Sequence, residues 1–212
     1  MQQGNSAASE GLLQRSLGIL EKTLGPESPV LAGILNNLAT VYRLRGNYAD
    51  AADTARRSLA LLEKSYGPDH QNVAIGLNNL ALILRMNGDY EGARPLLLRS
   101  VSILEKNLGK DHPNVAIGHN NLVMVQRLQG RNAEAEPLAR RSLSVLEKTP
   151  GPGSSNLAQS IENLAGICQE LGKHDESERL YRRLLAVRWG TPGANTGVVS
   201  ILDSFAVVLS FG

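Results

Sequence analysis

LNNLATVYRLRG at residues 35–46 returns as LNNLALILRMNG at 77–88, a step of 42 residues. The step is not local to those two segments. Gly25, Gly67, Gly109 and Gly151 keep it, as do Gly46, Gly88, Gly130 and Gly172. Leu38, Leu80, Leu122 and Leu164 repeat in register with Asn37, Asn79, Asn121 and Asn163. The pairs Glu21-Lys22, Glu63-Lys64, Glu105-Lys106 and Glu147-Lys148 do likewise. One integer period shared by so many positions is the signature of a duplicated supersecondary unit.

Each unit reads as two helices. In NVAIGLNNLALILRMNG, Val73, Leu77, Leu80 and Leu84 fall at helical spacing. Gly88 then stands where a helix end favours a left-handed residue. A second helix is expected over about Tyr90–Asn107, with Ala93, Leu97, Leu98, Val101 and Leu104 apolar, and Gly109 stops it in the same way. The linker GKDHP offers a polar cap followed by Pro113, whose missing N–H has no helical partner in a first turn. Ser28-Pro29 repeats that arrangement. Full units fall at 30–65, 72–107, 114–149 and 156–189, with a half unit at each end, 10–24 and 197–211. The last half unit, with Val198, Ile201, Phe205 and Val208, is one residue out of phase and has no polar cap. A unit of this kind cannot bury its apolar face alone, so the expectation is one all-α repeat array, a solenoid of stacked antiparallel helix pairs.

Composition agrees. Of 212 residues 42% are hydrophobic but only 4% aromatic, so the core is built from Leu, Val, Ile and Ala. Twenty-two Lys and Arg against 20 Asp and Glu leave a net charge of +2, too small to argue for nucleic acid or an anionic membrane as the main partner. No apolar run reaches the ~18 residues of a membrane span. MQQGNSAASE carries neither the basic nor the apolar region of a signal peptide, and the single cysteine fits a reducing compartment; a cytoplasmic location is the expectation.

Candidates for bond-making chemistry are thin. Cys168 aligns with Tyr42 and Leu84, a packing position. His70 and His112 align with Ser28 and Ser154 in the capping linkers, and His119 aligns with Leu35 and Leu77, where a buried histidine is expected. The histidines lie too far apart for a metal site with ordinary ligand spacing. Asp69-His70 and Asp111-His112 have no serine or cysteine nucleophile recurring beside them. The glycines stop helices and form no phosphate-binding loop. Arg140-Arg141 and Arg182-Arg183 are expected on second helices as solvated charge, without the aromatics a nucleic-acid surface would use. No enzyme, cofactor or metal is expected.

The segments LNNLATVYRLRG (35–46), LNNLALILRMNG (77–88), EKNLGKDHPNVA (105–116) and AEAEPLARRSLSVLEK (133–148) resemble tetratricopeptide repeats of the 42-residue kinesin light chain type, over nearly the whole chain. The resemblance implies a right-handed α-solenoid whose first helices line a concave groove that binds a peptide or partner segment. With Leu38 and Ala39 at close-packed positions, Gly33, Asn36, Asn37, Thr40 and Arg43 turn toward that groove. Their equivalents are Ile75, Asn78, Asn79, Leu82 and Arg85, then Ile117, Asn120, Asn121, Met124 and Arg127, and in the fourth unit Gln159, Glu162, Asn163, Gly166 and Gln169.

Asparagine can pair with an extended backbone without reading side chains. Arginine offers a planar fork to carboxylates. With Ile75, Leu82, Ile117 and Met124 between them, the groove suits an acidic peptide with one large apolar anchor. Two structural roles compete. Each arginine of the Arg43/Arg85/Arg127 ladder lies three residues before a helix-ending glycine, where a cation also favours the helix dipole. The Asn37/Asn79/Asn121/Asn163 ladder could instead bond across neighbouring helices. A non-catalytic protein-interaction scaffold is the leading reading. The alternatives are a module that self-assembles through its terminal half repeats, 10–24 and 197–211, and the recruitment part of a larger protein.

Overall fold

A computed structural model describes residues 2–149 and 154–189. Helices and the turns between them account for all of these residues. The order is α1 (Gln2–Leu24), α2 (Val30–Leu44), α3 (Tyr48–Tyr66), α4 (Gln71–Met86), α5 (Tyr90–Leu108), α6 (Pro113–Leu128), α7 (Asn132–Glu147), α8 (Ser154–Glu170) and α9 (His174–Trp189). The helix pairs thus fall on the 42-residue period. The half unit expected at 10–24 is the C-terminal part of a longer helix, and the one expected at 197–211 lies outside the described residues.

Two compact bodies divide the chain between Asn107 and Leu108. In the first, α2 packs on α3, α3 on α4, and α1 on α2. In the second, α6 packs on α7, α7 on α8, and α8 on α9. In each body the first helices of consecutive repeats also touch, α2 with α4 and α6 with α8. The small residue at Gly76 allows close approach of α4 to α3: a Cβ there would stand 3.1 Å from Leu62 and 3.2 Å from Leu59.

The helix ends follow the local chemistry. Gly88 takes φ +82°. The Asp89 N–H then donates back to the Leu84 carbonyl at 2.9 Å, closing the last turn of α4. Asn47, Arg131 and Lys173 make the equivalent bond to Tyr42, Gln126 and Cys168. At the start of α4 and α6, His70 and His112 accept from the Asn72 and Asn114 N–H groups through Nδ1, each at 3.1 Å. Pro113 opens α6 as the sequence predicts, whereas α2 opens one residue after Pro29, which takes the capping position itself.

Leu31, Ala32, Leu35 and Leu61 centre the first body's core between α2 and α3. Ile161, Leu164, Ile167, Cys168 and Leu184 centre the second. A buried serine ties second helix to first in three repeats: Ser58, Ser100 and Ser142 donate to the Ala32, Ala74 and Ala116 carbonyls, each at 2.8 Å. The fourth repeat has Leu184 in that register, and Ser177 bonds the Ala165 carbonyl at 2.9 Å instead.

The basic pairs on second helices are open to solvent, as the sequence predicts, and each of these arginines also makes an ion pair at the surface. Arg140 joins Glu136 at 2.8 Å and Glu176 at 2.7 Å. Arg141 pairs with Asp111, Arg182 with Glu178, and Arg183 with Glu147. The same logic repeats in the first body, where Arg57 bridges Glu21 and the Pro26 carbonyl, and Arg99 bridges Glu63 and the Pro68 carbonyl. Arg57, Arg99 and Arg183 tie a second helix to the preceding one, Arg57, Arg99 and Arg141 reach the linker between repeats, and Arg182 pairs within its own helix.

Candidate functional site

The first-helix face of the first body is built by α2 and α4. Leu38 and Ala39 are buried beneath it, so helical geometry leaves Gly33, Asn37 and Thr40 exposed and Asn36 and Arg43 half-buried. On α4, Ile75 is 56% exposed, while Asn78, Asn79, Leu82 and Arg85 are half-buried. Asn79 Nδ2 donates to Asn36 Oδ1 at 2.8 Å, linking the two helices. Among the described residues no further hydrogen bond engages the second Asn79 donor or the Asn37 amide. The Arg43 guanidinium stands 3.5 Å from the Met86 sulfur, a weak acceptor. Neither Arg43 nor Arg85 has a carboxylate partner among the described residues.

The second body presents the same register with different chemistry. Ile117, Asn121 and Met124 are half-buried on α6. Asn120 and Asn163, read from sequence as surface-facing, are interior at 4% and 0% exposure. Ser160 Oγ donates to Asn120 Oδ1 at 2.8 Å, Asn120 Nδ2 to the Asn156 carbonyl at 3.4 Å, and Asn163 Nδ2 to the Asn120 carbonyl at 3.3 Å. Here the asparagines are struts between α6 and α8, because a buried amide must satisfy its own hydrogen bonds. Arg127 Nε donates to Glu170 at 3.2 Å, and its guanidinium lies where a Cβ at Gly166 would come within 2.7 Å. Glycine lets that side chain settle over α8.

One further ladder belongs to this face and is absent from the sequence-based candidates. Leu44, Met86 and Leu128 share a register position next to the arginines and are 70%, 39% and 48% exposed. The fourth repeat puts Glu170 there. Its signal is the same 42-residue step. These residues sit in the last helical turn, where an apolar side chain is easily taken for core.

Cys168, Glu136, Glu176 and His119 are engaged within the fold. Cys168 is buried among the second body's apolar side chains, and that burial pushes its thiol up to about 11, away from reactivity. Hydrogen bonds from Lys173 and Arg140 hold the Glu136 carboxyl below the usual range, and Arg140 does the same to Glu176. His119 is buried on α6. Among the described residues no three metal-capable groups converge, and no helix is long and apolar enough to cross a membrane.

The sequence profile of the tetratricopeptide repeat matches residues 1–64, 30–106, 72–148 and 115–188, nearly the whole chain. The chain belongs to the tetratricopeptide repeat family. Its fold class is that family's all-α repeat solenoid, and solved neighbours are of the kinesin light chain type. BtubC (BKLC) from P. vanneervenii has a TM-score of 0.80 at 22% identity, over 91% of this chain and 76% of that one. A Podosopora anserina putative kinesin light chain with nearly identical TPR-like repeats has a TM-score of 0.75 at 24% identity, over 91% of each chain. A point variant of that Podosopora anserina protein gives 0.76 at 24% identity over 88% of each. No curated protein matches the sequence. Tetratricopeptide repeats generally serve as protein-interaction scaffolds and bind protein partners, a family that is generally non-enzymatic.

Proposed function

We propose that this tetratricopeptide repeat chain is a non-catalytic scaffold that binds an extended acidic peptide with one large apolar residue on its first-helix faces, chiefly that of the first body. The observation that carries the reading is the state of the arginines. Arg43 and Arg85, in the last turns of α2 and α4 with exposed Leu44 and Met86, have no acidic partner among the described residues, whereas Arg127 is already paired with Glu170. A half-buried guanidinium with no counterion has more to gain from a ligand carboxylate than one in water, because fewer waters compete for its donors. Asn37 and the free donor of Asn79 would hold peptide backbone, and Ile75 with Leu82 would seat the apolar anchor. Asn36 and Asn78 complete the proposed contacts of the first body; Ile117, Asn121 and Met124, with Arg127 in a weaker role, are those of the second body's own face. Asn120 and Asn163 support the face from beneath.

The test is a display selection of random peptides on the purified chain, counter-selected on the Arg43→Glu/Arg85→Glu double variant. Acidic peptides with an apolar anchor should enrich on the wild type and bind the variant at least tenfold more weakly. Peptides that bind both proteins alike would sink the assignment of the ligand to this face.

A further inference from the structure

The first helix of the structure has an uncovered apolar stripe at positions that the later second helices cover. Ile19 is 54% exposed. In register with it, Leu61, Ile103 and Val145 are exposed by only 7%, 3% and 9%. Leu12, at 68% exposure, stands in register with half-buried Leu96 and Leu138 and buried Leu180. The reason is architectural. A second helix buries these positions against the first helix of its own repeat, as Leu61 does against Leu31 and Leu35. Among the described residues α1 has the second-helix pattern but no first helix of its own repeat beside it: it packs on α2 of the following repeat and makes an ion pair to α3 through Glu21 and Arg57.

Charge sharpens the description. Leu12, Arg15, Ile19 and Lys22 follow one another at i, i+3, i+7 and i+10, so they form a single stripe on α1. Arg15 and Lys22 are exposed and have no acidic partner among the described residues. The acidic residues of the same helix are engaged elsewhere, Glu10 by Arg45 and Glu21 by Arg57. The uncovered face is therefore apolar with two cations. Outside the four full repeats the sequence contains one segment with the first-helix pattern, GVVSILDSFAVVLSF at 197–211. It carries four large apolar residues at helical spacing, Val198, Ile201, Phe205 and Val208, and its single charge is the acid Asp203. What α1 lacks, that segment supplies in both shape class and charge.

We infer that α1 is a docking face for residues 197–211 of a second copy of this chain, the two half repeats completing one tetratricopeptide repeat across the contact. The inference is independent of the peptide reading, because it uses neither Arg43 nor Arg85. The contact joins two different surfaces, so it is heterologous and propagates unless it closes into a ring. The association is concentration-dependent and extends beyond a dimer.

The full chain should show rising weight-average mass in sedimentation equilibrium from about 1 to about 200 µM, in line with ordinary weak interfaces. Leu12→Glu/Ile19→Glu, placed on exposed positions, should remain monomeric with unchanged helical circular dichroism. Phe205→Glu should do the same from the other side of the contact. A synthetic peptide of residues 194–212, labelled with a fluorophore, should bind the wild type and lose at least tenfold in affinity on the Leu12→Glu/Ile19→Glu chain. A wild type that stays monomeric and does not bind the peptide overturns the inference. So does association that survives both sets of substitutions.

Discussion

The two bodies of this chain carry the same repeat but not the same face. In the first, the register positions read Arg43, Leu82 and Met86; in the second they read Arg127, Gly166 and Glu170. The arginine is kept and its two neighbours in the register differ together. Glycine at 166 gives the guanidinium room to lie on the next helix, and Glu170 gives it a counterion there. In the first body Leu82 occupies that room and Met86 offers only a sulfur. The asparagines diverge in the same direction, with Asn37 exposed and Asn163 fully buried. On an unchanged backbone, a few substitutions thus decide whether a repeat's arginine and asparagine are open or engaged, because the buried layer of Leu and Ala sets the helix positions and leaves the outer turn free to vary.

Met86→Glu gives Arg43 the acid that Arg127 already has. Binding of a selected acidic peptide should fall at least tenfold in isothermal titration, with no change in helical content. Unchanged affinity would mean that the arginine's neutralisation does not separate the bodies. The serine struts serve as the control, since they are common to both. Ser58→Ala and Ser142→Ala should each lower unfolding free energy by about 1 kcal/mol in urea titration, the usual scale for one buried hydrogen bond. A large difference between them would show that the bodies differ in packing as well as in surface.

Acid sharpens the contrast from another side. Glu136 and Glu176 of the second body have carboxyls held below their ordinary range by Arg140 and Lys173. A carboxyl lowered in the folded state stabilises it at neutral pH, and that contribution is lost as pH falls from about 4.3 through the lowered value. Glu136→Gln should therefore cost about 0.5–1 kcal/mol at pH 7, on the scale of a partly exposed pair. The gap to wild type should narrow as the pH falls through the lowered value and the carboxylate takes up its proton. A gap independent of pH would argue that the side chain acts through packing. The smallest effect is expected for Glu170→Met in the Arg43→Glu/Arg85→Glu background. Freeing Arg127 should restore acidic-peptide affinity by about two- to threefold, less than 1 kcal/mol. No recovery would confine the reading to the first body.

Much of the fold is legible in the sequence because its determinants are local and repeated. Gly88 and Gly109 end helices through their own backbone freedom, Pro113 opens one, and a 42-residue step copies both decisions along the chain. His70 and His112 are recognisable as caps by their alignment with serines in the linkers. The site is less legible. Register shows that Asn37, Asn79, Asn121 and Asn163 are equivalent, but not that one is exposed and another sealed. Exposure depends on what the next helix places opposite, 43 residues away, as in Asn36 with Asn79 and Asn120 with Asn163. The arginines make the same point: Arg43 and Arg127 occupy one position of the repeat, and only the residue facing them decides which has a counterion. The helix pairs, their period and the buried Leu–Ala layer are written in the chain itself, because spacing within one helix is enough to set them. Which polar side chains partner one another, and which stay open to a ligand, is settled only on folding, because those hydrogen bonds and charge pairs form across helices that the folded chain brings together.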